Sequence, residues 1–297
     1  MSTLPTTNLP LTTLPIISPP IYDIDTDANL AVNAPVLTDW LVAFLQDEIT
    51  RRRGFTKAVV GLSGGVESAL VTFLLARALG PQNVYAIRMP YKASARESLD
   101  HADLVVQATG VNVQTIEITE AVDGYLKFAP DADGRRRGNV MARTRMIVIF
   151  DQSQKLGTLP VGTGNKTERL FGYFTWHADD SPPVNPLGDL YKTQVWALSR
   201  YIGVPDVIIN KPASADLIVG QTDESDFGIS YQRADRILYY LLRGSTVPRM
   251  IEMGFPEAEV LLVKKKVDST HWKRHLPTTA MLSSTSINDY YLRPVDY

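Results

Sequence analysis

Between residues 58 and 71 the chain reads Ala58-Val-Val-Gly-Leu-Ser-Gly-Gly-Val-Glu-Ser-Ala-Leu-Val71. A short apolar run rich in β-branched residues is followed by glycine and serine, and then by a second apolar run of helical character. This order predicts a buried strand, Ala58–Gly61, then a tight loop, and then a helix, Val66–Leu79, which ends at Gly80.

The loop in this stretch has the composition of a phosphate-binding turn. Gly61, Gly64 and Gly65 allow the backbone to approach a ligand closely, and the free N–H groups at the start of the following helix favour an anion. Ser63 and Ser68 add hydroxyl donors. The loop lacks the Gly-Lys-Ser/Thr ending of a Walker A motif and the third glycine of a dinucleotide fingerprint. A glycine-rich turn without any ligand is the alternative that this loop alone leaves open.

Composition and charge narrow the class of protein. The 297 residues, of which 44% are hydrophobic, are enough for a large core, and the net charge of −2 predicts no binding to nucleic acid. The chain has no cysteine, so disulfides, zinc–thiolate sites and a cysteine nucleophile are excluded. No apolar run reaches the roughly 20 residues of a membrane span, and the N-terminus lacks the features of a secretory signal. We therefore expect a cytoplasmic protein that binds neither membranes nor nucleic acid.

Residues 1–36 differ in composition from the rest of the chain. Leu-Pro pairs recur there and threonine is frequent, so neither a regular helix nor a central strand is expected. Two interpretations remain open: an extended Pro/Thr-rich arm that lies on the body or on a partner subunit, and a tail without fixed structure. We place the boundary after residue 36 and assign residues 37–297 to one domain.

From residue 37 onward, predicted helices alternate with predicted strands. Outside the opening stretch these are the helices Leu37–Arg53, Ala95–Thr109, Asn139–Leu156, Tyr231–Leu242 and Glu257–Lys273, and the strands Val84–Met89, Gln114–Ile118 and Leu159–Gly162. The charged residues 130–138 are predicted to be a solvated connector. The alternation predicts an α/β fold with a doubly wound, mostly parallel sheet and helices on both faces. Ligands bind beyond the carboxyl ends of such strands.

A second loop repeats the order of strand, small residues and helix start. It reads Gly162-Thr-Gly-Asn-Lys-Thr-Glu168 and follows the last predicted strand. Mg²⁺ prefers oxygen ligands and keeps some of its water while it bridges phosphates, so two protein carboxylates suffice. Glu67 and Glu168 are therefore candidate magnesium ligands. A glutamate in the first turn of a helix is also typical of a solvated side chain that favours the helix dipole.

Three further motifs follow in order: Asn185-Pro-Leu-Gly-Asp-Leu-Tyr-Lys-Thr-Gln-Val195, Lys211-Pro-Ala-Ser-Ala-Asp-Leu217 and Gly220-Gln-Thr-Asp-Glu224. Together with the first loop, which is similar to that of the ATP pyrophosphatase superfamily, they resemble the ammonia-dependent NAD synthetase family from about Leu37 to Pro277. The resemblance implies a ligase that uses ATP to amidate nicotinic acid adenine dinucleotide (deamido-NAD) with ammonia. An adenylated carboxylate would lead to NAD, AMP and pyrophosphate. The resemblance also implies Mg²⁺ as cofactor and a homodimer.

The resemblance implies roles for individual residues. ATP would contact Gly61, Leu62, Ser63, Gly64, Gly65, Val66, Glu67, Ser68, Arg88, Thr163, Lys192 and Ser214. Deamido-NAD would contact Arg143, Trp176, Asp179 and Lys273. Lys192 and Asp179 would be catalytic, Asp179 by taking a proton from ammonium, and Glu67 and Glu168 would bind Mg²⁺. From residue type alone, Lys192 and Lys273 are equally typical of solvated surface charges.

The chain departs from the family pattern at four positions, of which Gly164, where serine or aspartate is common, matters little. Glu67 stands where the family usually has aspartate, so we expect metal binding to be retained with an altered preference. Trp176 stands where lysine is usual and Pro183 where aspartate is usual. These two residues leave open how the nicotinate end is bound.

The expected nitrogen donor is inferred from the lack of a glutaminase domain and of cysteine. Glutamine-dependent members carry a glutaminase domain with a catalytic cysteine, and this chain has neither the spare length nor a cysteine. Free ammonia is therefore the expected donor, and a separate glutaminase subunit is left open. Two alternatives to the leading function remain: a paralogue that amidates another carboxylate by the same ATP chemistry, and a nucleotide-binding protein without turnover.

Overall fold

The computed structural model describes residue 24 and residues 26–214, 222–275 and 278–282. Most of the predicted N-terminal arm lies outside the described residues, as do residues 215–221 of the later motifs and residues 283–297. Helix α1 begins at Ala34, inside the segment assigned to the arm, so the boundary after residue 36 stays a prediction.

The described residues form strands and helices in an alternating order. The strands are β1 (Ala58–Gly61), β2 (Val84–Arg88), β3 (Asn112–Thr115) and β4 (Leu159–Val161). The helices are α1 (Ala34–Gln46), α2 (Val66–Leu79), α3 (Arg96–Thr109), α4 (Thr119–Leu126), α5 (Gly134–Leu156), α6 (Lys166–Phe171), α7 (Lys192–Ile202), α8 (Asp206–Ile209), α9 (Asp223–Phe227), α10 (Tyr231–Leu241), α11 (Val247–Glu252) and α12 (Glu257–Thr270).

The four strands form a parallel sheet in the order β3-β2-β1-β4. The chain runs outward from β1 through β2 to β3 and then returns to the other side of β1 for β4, which is the reversal that defines a doubly wound sheet. Val60 pairs with Ala86 on one side and with Val161 on the other. The loops after β1 and β4 therefore leave the same edge at the reversal point. The predicted fold class is confirmed.

Helices cover both faces of the sheet because the strand residues are apolar on both sides. Ala58 and Val60 of β1 face a large core with α2 and α7, in which Leu70, Leu74 and Leu198 are fully buried. On the opposite face Val59, Ile87 and Ile149 pack together, and Ile149 belongs to the long helix α5.

A separate core lies around α10 and α12 and fixes the position of α6. Phe227 packs edge to face against Phe171 at 5.0 Å and against Tyr231 at 5.2 Å between ring centroids. Val260 and Val263 of α12 are fully buried in the same cluster. Because Phe171 ends α6, this aromatic contact ties the short helix to the C-terminal part of the chain.

Several predicted boundaries are wrong for identifiable reasons. The first helix starts at Ala34, because the Asn33 side chain accepts a hydrogen bond from Val36 N at 3.2 Å and caps it. Its last turn is a π-helix, Asp47–Arg51. Strand β3 ends at Thr115, before most of the predicted strand. Its four residues are exposed, and an edge strand of this kind does not need the apolar residues by which a buried strand is recognised.

The predicted connector over residues 130–138 is also partly wrong. Helix α5 begins at Gly134, five residues before the prediction. Asp133 caps it, since its Oδ1 accepts from Arg136 N at 2.8 Å. The run of three arginines is thus the first turn of a helix and not a loop. The predicted C-terminal helices agree with α10 and with α12, which continues as a 3₁₀ turn, His271–Arg274.

One helical stretch, Ala28–Arg51, is long and apolar enough for a membrane span by length and composition alone. Its apolar residues Leu41, Leu45 and Ile49 are buried in the core beside α2. These contacts attach the stretch to the core, although most of the stretch is not buried. The absence of membrane binding remains a prediction.

Candidate active site

The loop between β1 and α2 closes on itself through short-range hydrogen bonds. The hydroxyls of Ser63 and Ser68 lie 3.1 Å apart, and Ser68 Oγ donates to Gly65 O at 2.9 Å. Gly65 N donates to Ser63 Oγ at 3.3 Å. The two serines are thus positioned by the loop itself, and the start of α2 at Val66 leaves backbone N–H groups directed beyond the sheet.

Gly64 is required at its position for two reasons. Its φ of +84° lies in the left-handed region, and a Cβ there would lie 2.1 Å from the carbonyl oxygen of Ser98. The loop therefore packs directly against the first turn of α3, and this close approach fixes its position.

The second loop leads into α6, which carries Glu168. Asn165 caps this helix in a reciprocal pair: its Oδ1 accepts from Glu168 N at 2.9 Å, and Glu168 Oε2 accepts from Asn165 N at 3.1 Å. The Asn165 amide also donates to Glu67 Oε1 at 3.0 Å. One buried asparagine thus joins the two loops and brings both predicted magnesium ligands to one place.

Lys192, the first residue of α7, lies at the centre of this cluster. It is 2% exposed, its Nζ pairs with Glu67 Oε1, and the Tyr231 ring centroid lies 5.1 Å from Nζ. Burial acts to lower the pKa of Lys192, but the carboxylates of Glu67 and Glu168 outweigh it and raise the pKa above the ordinary value. The lysine is a buried cation and not the solvated surface charge of the alternative interpretation.

Two acids near Lys192 have raised pKa values. Burial and the neighbouring Glu67 raise the pKa of Glu168 well above its ordinary value. Burial also raises the pKa of Asp223, which accepts from the Tyr231 hydroxyl at 2.8 Å. The other oxygen of Asp223, Oδ1, is buried and has no hydrogen-bond partner within the part of the chain that the structure describes.

This set of oxygen donors fits a divalent cation that also binds phosphate. Glu67 and Glu168 repel each other in a buried place, and a cation between them would relieve that repulsion. Among residues 26–214, 222–275 and 278–282, however, no three acidic or histidine side chains converge closely enough to bind a metal ion. Water and phosphate oxygens would have to complete the coordination, as Mg²⁺ usually requires.

The residues assigned to deamido-NAD converge on the loop over residues 171–180. Arg143 donates to Trp176 O at 3.1 Å, and Lys273 Nζ donates to the carbonyls of Gly172 and Phe174. Burial lowers the pKa of Lys273. The structure thus brings these residues together around one loop, where Trp176 also packs at 5.3 Å against Trp272.

Asp179 belongs to the same loop. Its Oδ1 accepts from Thr175 N at 2.8 Å, and desolvation of the carboxyl raises its pKa to about 6, although the residue as a whole is exposed. A carboxyl with such a pKa can accept a proton near neutral pH.

Three predicted ATP contacts are not joined to the Lys192 cluster. The Arg88 guanidinium is bonded to Asp103 and to Thr115 Oγ1, toward α3 and β3. Thr163 lies in the second loop, and Ser214 is exposed at the end of a described range. Their contacts with ATP stay predictions, as do the roles of the other predicted site residues.

Sequence reasoning assigned no role to Asn165, Asp223 or Tyr231. The spacing of Asn165 and Glu168 is that of a capping box, which could have indicated the asparagine. Asp223 lies inside a quoted motif. For Tyr231 there is no local signal, because it meets Lys192 only through the packing of α10 against α7.

The fold and this cluster define a class: an α/β nucleotide-binding protein of the ATP pyrophosphatase type, with a glycine-rich loop facing a buried lysine and two carboxylates. The NAD synthase family model matches residues 37–277. The chain belongs to this family, and its relatives are ligases that form the C–N bond of NAD.

Two relatives illustrate the match in sequence. The NH(3)-dependent NAD(+) synthetase of Trichlorobacter lovleyi is 48% identical over 262 residues, which are 88% of this chain and 96% of the relative. That of Fusobacterium nucleatum is 46% identical over 85% of this chain and 98% of its own.

Two solved structures of synthetases are similar to this chain over most of its length. The NH3-dependent NAD synthetase of Campylobacter jejuni is 28% identical with a TM-score of 0.73, over 84% of this chain and 100% of its own. The NMN synthetase of Francisella tularensis is 27% identical with a TM-score of 0.75, over 84% and 99%.

Proposed function

We propose that this protein amidates deamido-NAD with free ammonia, using ATP, and releases NAD, AMP and pyrophosphate. The observation that carries the proposal is the buried Lys192, which faces Glu67 and Glu168 directly beside the glycine-rich loop. A carboxylate oxygen is a poor leaving group, and adenylation converts it into AMP. That step requires positioned anions and positive charge more than a protein nucleophile.

Each part of the site has a task in this chemistry. The loop from Gly61 to Ser68 supplies backbone and hydroxyl donors to the phosphates of ATP. Lys192 neutralises the charge that develops as pyrophosphate departs. Asp179 takes a proton from ammonium; with a pKa of about 6 its carboxyl is mostly ionised at neutral pH and can accept one.

Mg²⁺ is part of the proposal, with Glu67 and Glu168 as its protein ligands. When bound, it would neutralise phosphate charge. Glu168→Ala should abolish magnesium-dependent turnover and leave the fold intact, as judged by circular dichroism. Magnesium-dependent turnover close to that of the unaltered protein would remove Glu168 from the metal site.

Assembly and location complete the proposal. Helix α5 exposes Ile147 and Phe150, which suits contact with a second copy of the chain, so we propose a homodimer. Ile147→Asp should shift the mass in solution from dimer to monomer. We further propose a cytoplasmic location and free ammonia as the donor.

The test is to incubate the protein with ATP, Mg²⁺, ammonium and deamido-NAD and to follow NAD, AMP and pyrophosphate together. Equal amounts of all three are expected. Nicotinic acid mononucleotide serves as the competing acid, because the likeness to the NMN synthetase shows that this fold is not confined to one substrate. A preference for that acid would favour the paralogue, and ATP binding without products would favour the non-catalytic alternative.

A further inference from the structure

We infer that Asp235 is a positioning residue that sets the places of both Glu168 and Lys192. Asp235 lies on α10 and is fully buried. It bonds to the residues next to them in sequence, Thr167 and Thr193. The positioning role of Asp235 depends on the proposed function only in those experiments that measure turnover.

The first link runs through Thr167. Its hydroxyl donates to Asp235 Oδ1 at 2.5 Å and accepts from the backbone N of Lys192 at 3.1 Å. One buried hydroxyl therefore connects the first turn of α6, the first residue of α7 and the carboxylate of α10. Since Glu168 follows Thr167 directly, the same bond orients the helix turn that carries it.

The second link runs through Thr193. Its backbone N and its hydroxyl both donate to Asp235 Oδ2, at 2.9 and 2.8 Å. Asp235 thereby serves the start of α7 as a capping carboxylate supplied by another helix, a position in which the helix dipole favours an anion.

Helix α10 contacts Lys192 from two sides at once. Tyr231 and Asp235 are four residues apart and so lie on the same face of the helix. The ring of Tyr231 lies under the Lys192 ammonium, while Asp235 fixes the backbone at the base of the same side chain. One face of α10 thus contacts the Lys192 ammonium through Tyr231 and the backbone next to Lys192 through Asp235.

A carboxylate suits this position better than an amide. Asp235 receives three hydrogen bonds, all from N–H or O–H donors, and each of its two oxygens accepts at least one. An asparagine would place an NH₂ group against donors and leave buried groups unpaired. Loss of alignment at the reacting groups, and not merely of stability, is the expected result.

The test uses two pairs of near-isosteric variants. Thr167→Val and Thr193→Val remove the hydroxyls and keep the shape, whereas Thr167→Ser and Thr193→Ser retain the hydroxyls. The valine variants should lower kcat/KM for ATP by about 10- to 100-fold, an effect typical of lost supporting bonds around a site. The serine variants should restore most of it. Asp235→Asn should match the valine variants.

Thr38→Val is the control, because Thr38 is a buried threonine whose hydroxyl donates to Ala34 O at 2.7 Å, within its own helix α1. It should lower the melting temperature without changing KM or kcat. Binding of a non-hydrolysable ATP analogue is measured in parallel, so that an unaltered protein that binds the analogue but forms no NAD counts against the proposed function alone.

The inference is overturned if the valine variants and Asp235→Asn lose thermal stability but keep analogue affinity, KM and kcat within twofold of the unaltered protein. It is also overturned if Thr167→Ser and Thr193→Ser are as defective as the valine variants. Should Asp235→Asn fail to fold, the threonine variants alone decide whether the inference holds, because each valine variant removes a single hydroxyl.

Discussion

The two sides of the site are built in different ways. The glycine loop, residues 61–68, is closed by hydrogen bonds between residues at most five positions apart. The opposite wall, which we call the lysine wall and define as Thr167, Glu168, Lys192, Thr193 and Asp235, is joined by bonds that span 25, 42 and 68 residues. The hydrogen bonds that close the loop involve only β1 and α2, although the packing of the loop also needs α3. The wall forms only when α6, α7 and α10 come together.

The difference separates what each side contributes. The loop offers backbone donors in a shape that follows from local sequence, and it carries no cation of its own. The wall supplies the positive charge and two carboxylates, and their geometry depends on distant helices. Damage to the wall should therefore reduce both stability and chemistry, while damage to the loop should reduce nucleotide binding first.

Among the four changes that compare the two sides, the largest effect is expected from Lys192→Ala in the wall. It removes the cation that we propose to face the departing pyrophosphate and leaves buried carboxylates unpaired, so turnover should fall by about 10²- to 10³-fold and stability by about 3–5 kcal/mol. ATP use should suffer more than dinucleotide binding. Lys166→Ala is the control, because its partner Asp189 is exposed. Unchanged ATP kinetics in Lys192→Ala would contradict the role of the wall.

Gly64→Ala tests the loop. The added Cβ would lie 2.1 Å from Ser98 O in a left-handed backbone, so we expect a loss of about 1–3 kcal/mol and a clear rise in KM for ATP. Gly157→Ala is the matched control, since Gly157 has a φ of +63° with nothing within 4 Å of its Cβ position. Equal effects of both changes on ATP kinetics would show that packing of the loop on α3 is irrelevant.

Asp235→Asn tests the wall through pH. The folded-state pKa of Asp235, about 6, lies above the ordinary 3.8 because burial disfavours the charged form. The stabilisation is complete below the ordinary pKa and is lost as the pH rises through about 6. The advantage of the unaltered protein over Asp235→Asn in free energy of unfolding should therefore shrink by about 3 kcal/mol from pH 4 to pH 7. Denaturation at several pH values measures this, and a constant or growing difference would contradict it.

Glu67→Asp tests the connection between the two sides and should have the smallest effect. The shorter side chain retains a carboxylate for magnesium but withdraws from Lys192 and Asn165, which it now contacts. We expect a several-fold shift in the magnesium concentration for half-maximal rate, with kcat changed less than about tenfold. A magnesium titration measures it, and complete loss of activity would show that the longer side chain is indispensable.

The same comparison explains how much the sequence could predict. The β1 strand, the glycine loop and α2 were predicted with the correct bounds, because strand, turn and helix signals are local. Glu168 could be named as a candidate because it follows a second loop of the same kind, and the structure places it beside Glu67 and Lys192. Asp235 could not be found, since its partners Thr193 and Thr167 lie 42 and 68 residues away, and Tyr231 could not be found because it meets Lys192 only through packing. Edge strand β3 was misplaced because its four residues are exposed and polar in pattern.

The most direct test of the central claim, that loop and wall together activate a carboxylate by adenylation, uses deamido-NAD labelled with ¹⁸O in the nicotinate carboxylate. One oxygen should stay in the amide carbonyl of NAD, and the other should appear in the phosphate of AMP, detected by mass spectrometry. AMP without label, formed together with NAD, would contradict the claim.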